Sequence, residues 1–173
     1  MRMFIGIDLP EDGKKYIYNN IKDIIEQYDL KWVDYRLYHL TLKFLGEISE
    51  KELSNIDKKL NEISKRYKAF ELKLNSLGKF PVYSDKLNVL WLGVEYSKEL
   101  EDLAIDIQNN FKNFGDNKPF SPHITLARNK NGTSITLKEK TFDYKFVVDK
   151  ITLFESILPG PIYKTIKVYP LKL

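Results

Sequence analysis

His39-Leu40-Thr41-Leu42 and His123-Ile124-Thr125-Leu126 are two copies of one short phrase: His, aliphatic, Thr, Leu. They hold the only two histidines of a 173-residue chain. If both lie on strands, alternation places the His and the Thr of each copy on one sheet face. Their Cβ atoms are then roughly 6.5–7 Å apart, so an imidazole and a hydroxyl can touch one small tetrahedral anion. Two such strands facing each other would put two imidazoles and two hydroxyls around one phosphate.

The flanks support that placement. Tyr38 to Leu45 reads as a strand ending at Gly46, with His39, Thr41 and Lys43 on one face and Leu40, Leu42 and Phe44 on the other. Pro122 biases Ser121 to an extended conformation and leads straight into the second copy. Strict alternation would turn Arg128 away from Thr125, so a role beside it requires a strand end or bulge there.

Further out, Met3 to Leu9 reads as a strand, and Pro10 opens a helix with Glu11 and Asp12 in its first turn. Leu30 to Val33 is a short strand. Ser49 and Glu52 form a capping box before a second helix, with Leu53, Ile56, Leu60 and Ile63 on its apolar face. Phe70 to Asn75 alternates as a strand, Gly78 to Lys86 is a loop, and Leu87 to Val94 is nearly all apolar. Ser97 caps a third helix, whose stripe runs to Phe111 and Phe114 with Gly115 as its C-terminal cap. Three strands close the chain, at about 141–148, 151–157 and 163–169. The order is β-α-β-β-α-β and then β-α-β-β-β-β, a loose duplication in which each half carries one His-x-Thr strand. An α+β fold fits, with two similar lobes of antiparallel sheet, helices packed outside and a central groove, all within 1–173 as one domain.

Composition narrows the partners. Hydrophobic residues make up 43% and charged residues 30%, as in a globular protein that needs no membrane. No apolar run approaches a membrane span, and the start reads as a strand and not a signal peptide. The chain has no cysteine, which excludes disulfides, thiol nucleophiles and thiolate metal sites. Cytoplasmic residence and a monomer are the expectations. Net charge is +4 with a pI of about 9.0, which favours an anionic partner such as RNA or a nucleotide. The Lys/Glu-rich surface is equally explained by solubility or thermostability.

The paired motif suits metal-independent cleavage of a phosphodiester. One neutral His removes a proton from the attacking water, and the other, protonated, gives one to the leaving oxygen. Thr41 and Thr125 hold the non-bridging oxygens, and Arg128 adds a bidentate grip. Two histidines without cysteine make a poor zinc site, which wants roughly three or four protein ligands. Asp8, Asp34 and Asp85 are available carboxylates, but no spacing groups them with a histidine. No cofactor is expected. Lys43 is a candidate phosphate contact or a solvated lysine. Tyr38, Phe80 and Phe120 are candidate base-stacking side chains, with plain packing as the alternative. Trp32, Trp91 and the other phenylalanines read as core.

These motifs resemble those of the 2H phosphoesterases, and within them the RNA 2′,3′-cyclic phosphodiesterases, also called 2′-5′ RNA ligases or LigT-like proteins. The resemblance runs through Phe4-Ile5-Gly6-Ile7-Asp8-Leu9-Pro10, His39 to Gly46, Val89 to Val94, Pro122 to Arg128, Leu153 to Ser156 and Gly160 to Tyr163. It implies a bilobal fold with a pseudo-two-fold axis and hydrolysis of a terminal 2′,3′-cyclic phosphate on RNA to a 2′-phosphate, without a metal. By motif position it makes His39 the proton donor to the leaving 3′ oxygen and His123 the proton acceptor. It also implies a reverse reaction that makes a 2′-5′ linkage. From the residues alone the two histidines are interchangeable. A nucleotide- or RNA-end-binding module without turnover stays open, as does a cyclic phosphate on a small nucleotide or ADP-ribose.

Overall fold

The computed structural model describes residues 1–81 and 88–173. Among these, nine strands and three α-helices follow the expected order: β1 (Arg2–Asp8), α1 (Glu11–Gln27), β2 (Lys31–Trp32), β3 (His39–Glu47), α2 (Glu50–Ser64), β4 (Phe70–Phe80), β5 (Val89–Val94), α3 (Lys98–Asn110), β6 (Ile124–Arg128), β7 (Lys145–Val148), β8 (Lys150–Ile157) and β9 (Ile162–Pro170). The strands form one sheet in the order β7-β4-β5-β6-β3-β1-β8-β9, with β2 beside β6. All the strand pairings within this sheet are antiparallel. Reading outward from the β6/β3 junction, β3-β1-β8-β9 mirrors β6-β5-β4-β7. This is the two-lobed α+β architecture that the duplicated element order implies.

The helices form where their ends and apolar stripes dictate. Ser49 and Glu52 make the reciprocal capping box at the start of α2, and Ser97 accepts from the Leu100 amide at the start of α3. The stripes Ile17-Ile21-Ile24, Ile56-Leu60-Ile63 and Leu100-Leu103-Ala104-Ile107 are buried in one cluster with Met3, Ile5, Ile7, Leu40, Leu42, Ile124 and Leu126 of the sheet. The helices therefore cover one sheet face. His39 and Thr41 lie on the other, which is left as the groove.

Some boundaries differ from the sequence reading. The fourth strand continues through Gly78 to Phe80, where a loop is expected, because backbone pairing with β5 carries it on. The strand expected at about 141–148 starts later, at Lys145. Part of the expected 78–86 loop, with Asp85 and the start of the 87–94 strand, lies outside the described residues. The third helix stops at Asn110, so Gly115 is not its cap. Gly115 has φ +57°, and a Cβ there would stand 2.1 Å from the Phe44 carbonyl oxygen. The glycine lets the 111–118 segment lie directly on β3. Gly115→Ala should cost about 1–3 kcal/mol or more through backbone strain and the clash, read from the midpoint of urea unfolding.

Candidate active site

The two lobes meet at one backbone pairing between β3 and β6, Leu40 opposite Ile124. Each is the residue between the His and the Thr of its motif, and each is fully buried in the core. The strands are antiparallel, so His39 lies opposite Thr125 and Thr41 opposite His123 on the groove face. Directly opposed side chains in such a ladder are about 5 Å apart and diagonal ones about 7–8 Å. That spacing frames one tetrahedral anion.

Both imidazoles are tied in the same way. His39 Nδ1 lies 2.8 Å from the Leu37 carbonyl oxygen and His123 Nδ1 lies 2.7 Å from that of Ser121. A carbonyl only accepts, so each Nδ1 carries the proton and each Nε2 is left as the working atom. The Thr41 hydroxyl donates to His39 Nε2 at 2.9 Å.

The beds under the two rings differ. His39 rests on Phe4 at 4.9 Å and Phe154 at 5.9 Å, with Tyr163 edge-on at 5.1 Å. Burial holds the His39 pKa below the usual histidine value; the Leu37 hydrogen bond and Asp8 oppose this, while Lys14 and His123 add to it. His123 stands edge-on to Phe80 at 5.5 Å and to Trp91 at 6.5 Å. Trp91 fits there because Gly78 lacks a side chain: a Cβ would come within 2.1 Å of the indole.

Two β-bulges decide the neighbours of the motif. In β6, Thr125 faces Trp91 and Ala127 faces Leu90, leaving Leu126 as an extra residue. Leu126 and Ala127 are therefore both buried, and Arg128 returns to the face of Thr125. The same device in β3 has the opposite effect on the expected site. Gly6 pairs with Thr41 and Ile5 with Lys43, so Leu42 is the extra residue. Lys43 turns into the core side at 2% exposure and donates to the Asp116 carbonyl and to Asn117 Oδ1, the latter at 3.3 Å. It is a structural lysine and not a phosphate contact. Phe44 takes the groove face in its place, 57% exposed.

Other expectations are corrected as well. Tyr38 is buried at 1% exposure, with its hydroxyl pKa pushed up by that burial, and offers no face to a base. Phe120 lines a shallow cleft with Ile105, Gln108 and Lys112 beside α3, away from the groove. Phe80 does reach His123. Asp8 and Asp34 are engaged by Lys14 at 2.8 Å and Arg36 at 2.6 Å. Among the described residues no group of three His, Asp or Glu could hold a metal. The sequence reading missed Phe4, Phe154 and Tyr163 and counted Trp91 as core. For Phe4 the available signal was its alternation with Gly6 on one strand; Trp91, Phe154 and Tyr163 reach the groove only through the pairing of their strands.

Comparison with known proteins fits this geometry. The 2′-5′ RNA ligase superfamily matches residues 17–157. The chain belongs to that family. A relative from Aquifex aeolicus, named RNA 2′,3′-cyclic phosphodiesterase, is 36% identical over 152 residues, 80% of each chain. The crystal structure of TT0787 from Thermus thermophilus superposes with a TM-score of 0.90 at 26% identity, over 99% of this chain and 98% of that one. E. coli LigT in complex with 3′-AMP superposes with a TM-score of 0.84, also at 26% identity and the same coverage. Membership in the 2′-5′ RNA ligase superfamily makes the groove between the paired His-x-Thr strands the candidate active site.

The placement of Lys43 gives a direct check. Lys43→Ala should lower stability by about 1–3 kcal/mol, since it removes the hydrogen bonds of a charged group together with the packing of its buried stem, while the affinity for inorganic phosphate stays at its wild-type value. Urea unfolding and calorimetric phosphate titration read the two quantities.

Proposed function

We propose that the chain is an RNA 2′,3′-cyclic phosphodiesterase that opens a terminal cyclic phosphate to a 2′-phosphate. The observation that carries this reading is the pair of Nε2 atoms on one groove face, each with its Nδ1 proton fixed by a backbone carbonyl. The name of the Aquifex relative and the 3′-AMP complex of E. coli LigT support the substrate class.

In the mechanism, the cyclic phosphate sits between the two motifs with its non-bridging oxygens on the Thr41 and Thr125 hydroxyls. Arg128 adds a guanidinium to the same charge. Neutral His123 takes a proton from water through Nε2 as the water oxygen bonds to phosphorus. The bond to the 3′ oxygen breaks, and His39 Nε2–H gives that oxygen its proton. The product is a 2′-phosphate and a 3′-hydroxyl, and the two histidines have exchanged protonation states. With a 5′-hydroxyl strand in place of water, the same steps in the same sense would form a 2′-5′ linkage: His123 takes the 5′-hydroxyl proton, that oxygen bonds to phosphorus, and His39 protonates the departing 3′ oxygen. The assignment of donor and acceptor follows motif position in the family.

The burial of His39 bears on the donor role. The groove by itself disfavours the imidazolium, and a phosphate anion beside Nε2 restores it. A bound substrate therefore prepares its own acid.

Incubation of an RNA ending in a 2′,3′-cyclic phosphate should yield the 2′-phosphate isomer at an unchanged rate in EDTA. His39→Ala and His123→Ala should each lose about 10²–10⁴-fold in kcat. Full activity in the double variant, or a 3′-phosphate product, would sink the reading. The pH profile has its own expected sign. His39 is held low in the free enzyme and raised by bound phosphate, so the alkaline limb of kcat should lie at higher pH than that of kcat/KM. Coincident limbs would contradict the proposed role of the substrate anion.

A further inference from the structure

Four arginines occur in the chain. Two are consumed in ion pairs: Arg36 with Asp34 at 2.6 Å and Arg66 with Asp106 at 2.8 Å. Arg2 and Arg128 are exposed, and no carboxylate pairs with either among the described residues. Both face the groove. Arg128 does so because of the β6 bulge. Arg2 does so by simple alternation, since β1 is regular against β8, with Met3, Ile5 and Ile7 in the core and Phe4 and Gly6 under His39. The two guanidiniums come from opposite lobes, yet both act electrostatically on the hydroxyl of Tyr163, the ring edge-on to His39.

Arg128 belongs to the phosphate site between the motifs. Arg2 stands farther out. Gly6 is level with Thr41, Phe4 with Phe44, and Arg2 with Glu47. Arg2 is thus four residues from the level of Thr41, roughly 13 Å along the strand, a span that its long side chain shortens to the scale of one nucleotide step. Phe44 lies between, exposed, with its ring 5.8 Å from that of Phe4. Along this lobe the groove therefore presents phosphate donors, then an aromatic face, then a second unpaired guanidinium. That order matches phosphate, base and phosphate in a single strand.

We propose that Arg2, beside Tyr163, grips the internucleotide phosphate next to the terminal nucleotide, and so makes the site select an oligonucleotide over a cyclic mononucleotide or another small cyclic phosphate. This rests on the phosphodiesterase reading for its reaction but concerns a separate subsite.

The test compares wild type, Arg2→Ala and Arg2→Lys on a 2′,3′-cyclic mononucleotide and on a trinucleotide ending in a 2′,3′-cyclic phosphate. In Arg2→Ala the trinucleotide-to-mononucleotide ratio of kcat/KM should fall about tenfold to a hundredfold, the worth of one charge-assisted contact, mainly through KM. Arg2→Lys should recover part of it. The salt dependence of trinucleotide binding should lose about 0.7 from its logarithmic slope, one phosphate contact on a single strand. Arg128→Ala should depress both substrates together. An unchanged ratio in Arg2→Ala, whether both substrates fall or neither does, would overturn the proposal. Binding of the corresponding 2′-phosphorylated mononucleotide and trinucleotide gives the same comparison without turnover. Absence of turnover in wild type would therefore count against the phosphodiesterase reading alone, and the binding ratio would still decide the role of Arg2.

Discussion

The backbone pairing of Leu40 with Ile124 joins the motif strands β3 and β6 of the two lobes, and the groove depends on it. Both side chains are buried without exposure in the core beneath the helices. That burial fixes the register, because a slip of one residue would turn every side chain of a strand to the opposite face. With the aliphatic residue of each motif pinned downward, the His and Thr on either side of it have to point up. The antiparallel sense then sets each His across from the other copy's Thr. The hydrophobic core thereby sets the direction of a polar constellation on the opposite sheet face.

The two halves use the same devices to different ends. Each histidine is steadied by the carbonyl two residues before it, so both Nε2 atoms reach the groove in the same chemical form. Each motif strand carries a bulge after its Thr, which buries the fifth residue of the phrase and raises the sixth into the groove. In the second copy those residues are Ala127 and Arg128; in the first they are Lys43 and Phe44. One side therefore raises a guanidinium into the groove and the other an aromatic ring. The beds under the imidazoles also differ, with three aromatic rings crowding His39 and two beside His123. A duplicated frame has become an asymmetric site, in keeping with the unequal acid and base roles proposed above.

Lys43 shows why local reading reaches only so far. Alternation is a rule about one strand, and it sets Lys43 beside Thr41. The bulge is a property of two strands, created where β1 and β3 fail to keep step, and it reverses the side chain. Arg128 illustrates the same physics in the other direction. Its place beside Thr125 contradicts alternation and becomes possible only through the mismatch between β5 and β6. Tyr38 and Phe120 were near the motifs in sequence, but one is drawn into the core and the other lies beside α3. Tyr163, far away in sequence, arrives at His39 through the pairing of β8 with β9 and of β8 with β1.

The amino-acid sequence by itself determined the element order, the Ser49 and Ser97 helix N-caps, the apolar stripes and the two His-x-Thr strands. These follow from interactions among residues a few places apart, where propensity, capping and periodicity act. It also showed, through the repeated phrase, that two strands share one kind of chemistry. Only the tertiary structure decided which residues surround that phrase. Bulges, glycine clearances and long-range strand pairing depend on contacts between distant segments, and packing there overrides the period-two rule. The same holds for Arg2, which in the sequence is one cation among 28 Lys and Arg residues. Its neighbours in the folded sheet are what make it a groove residue.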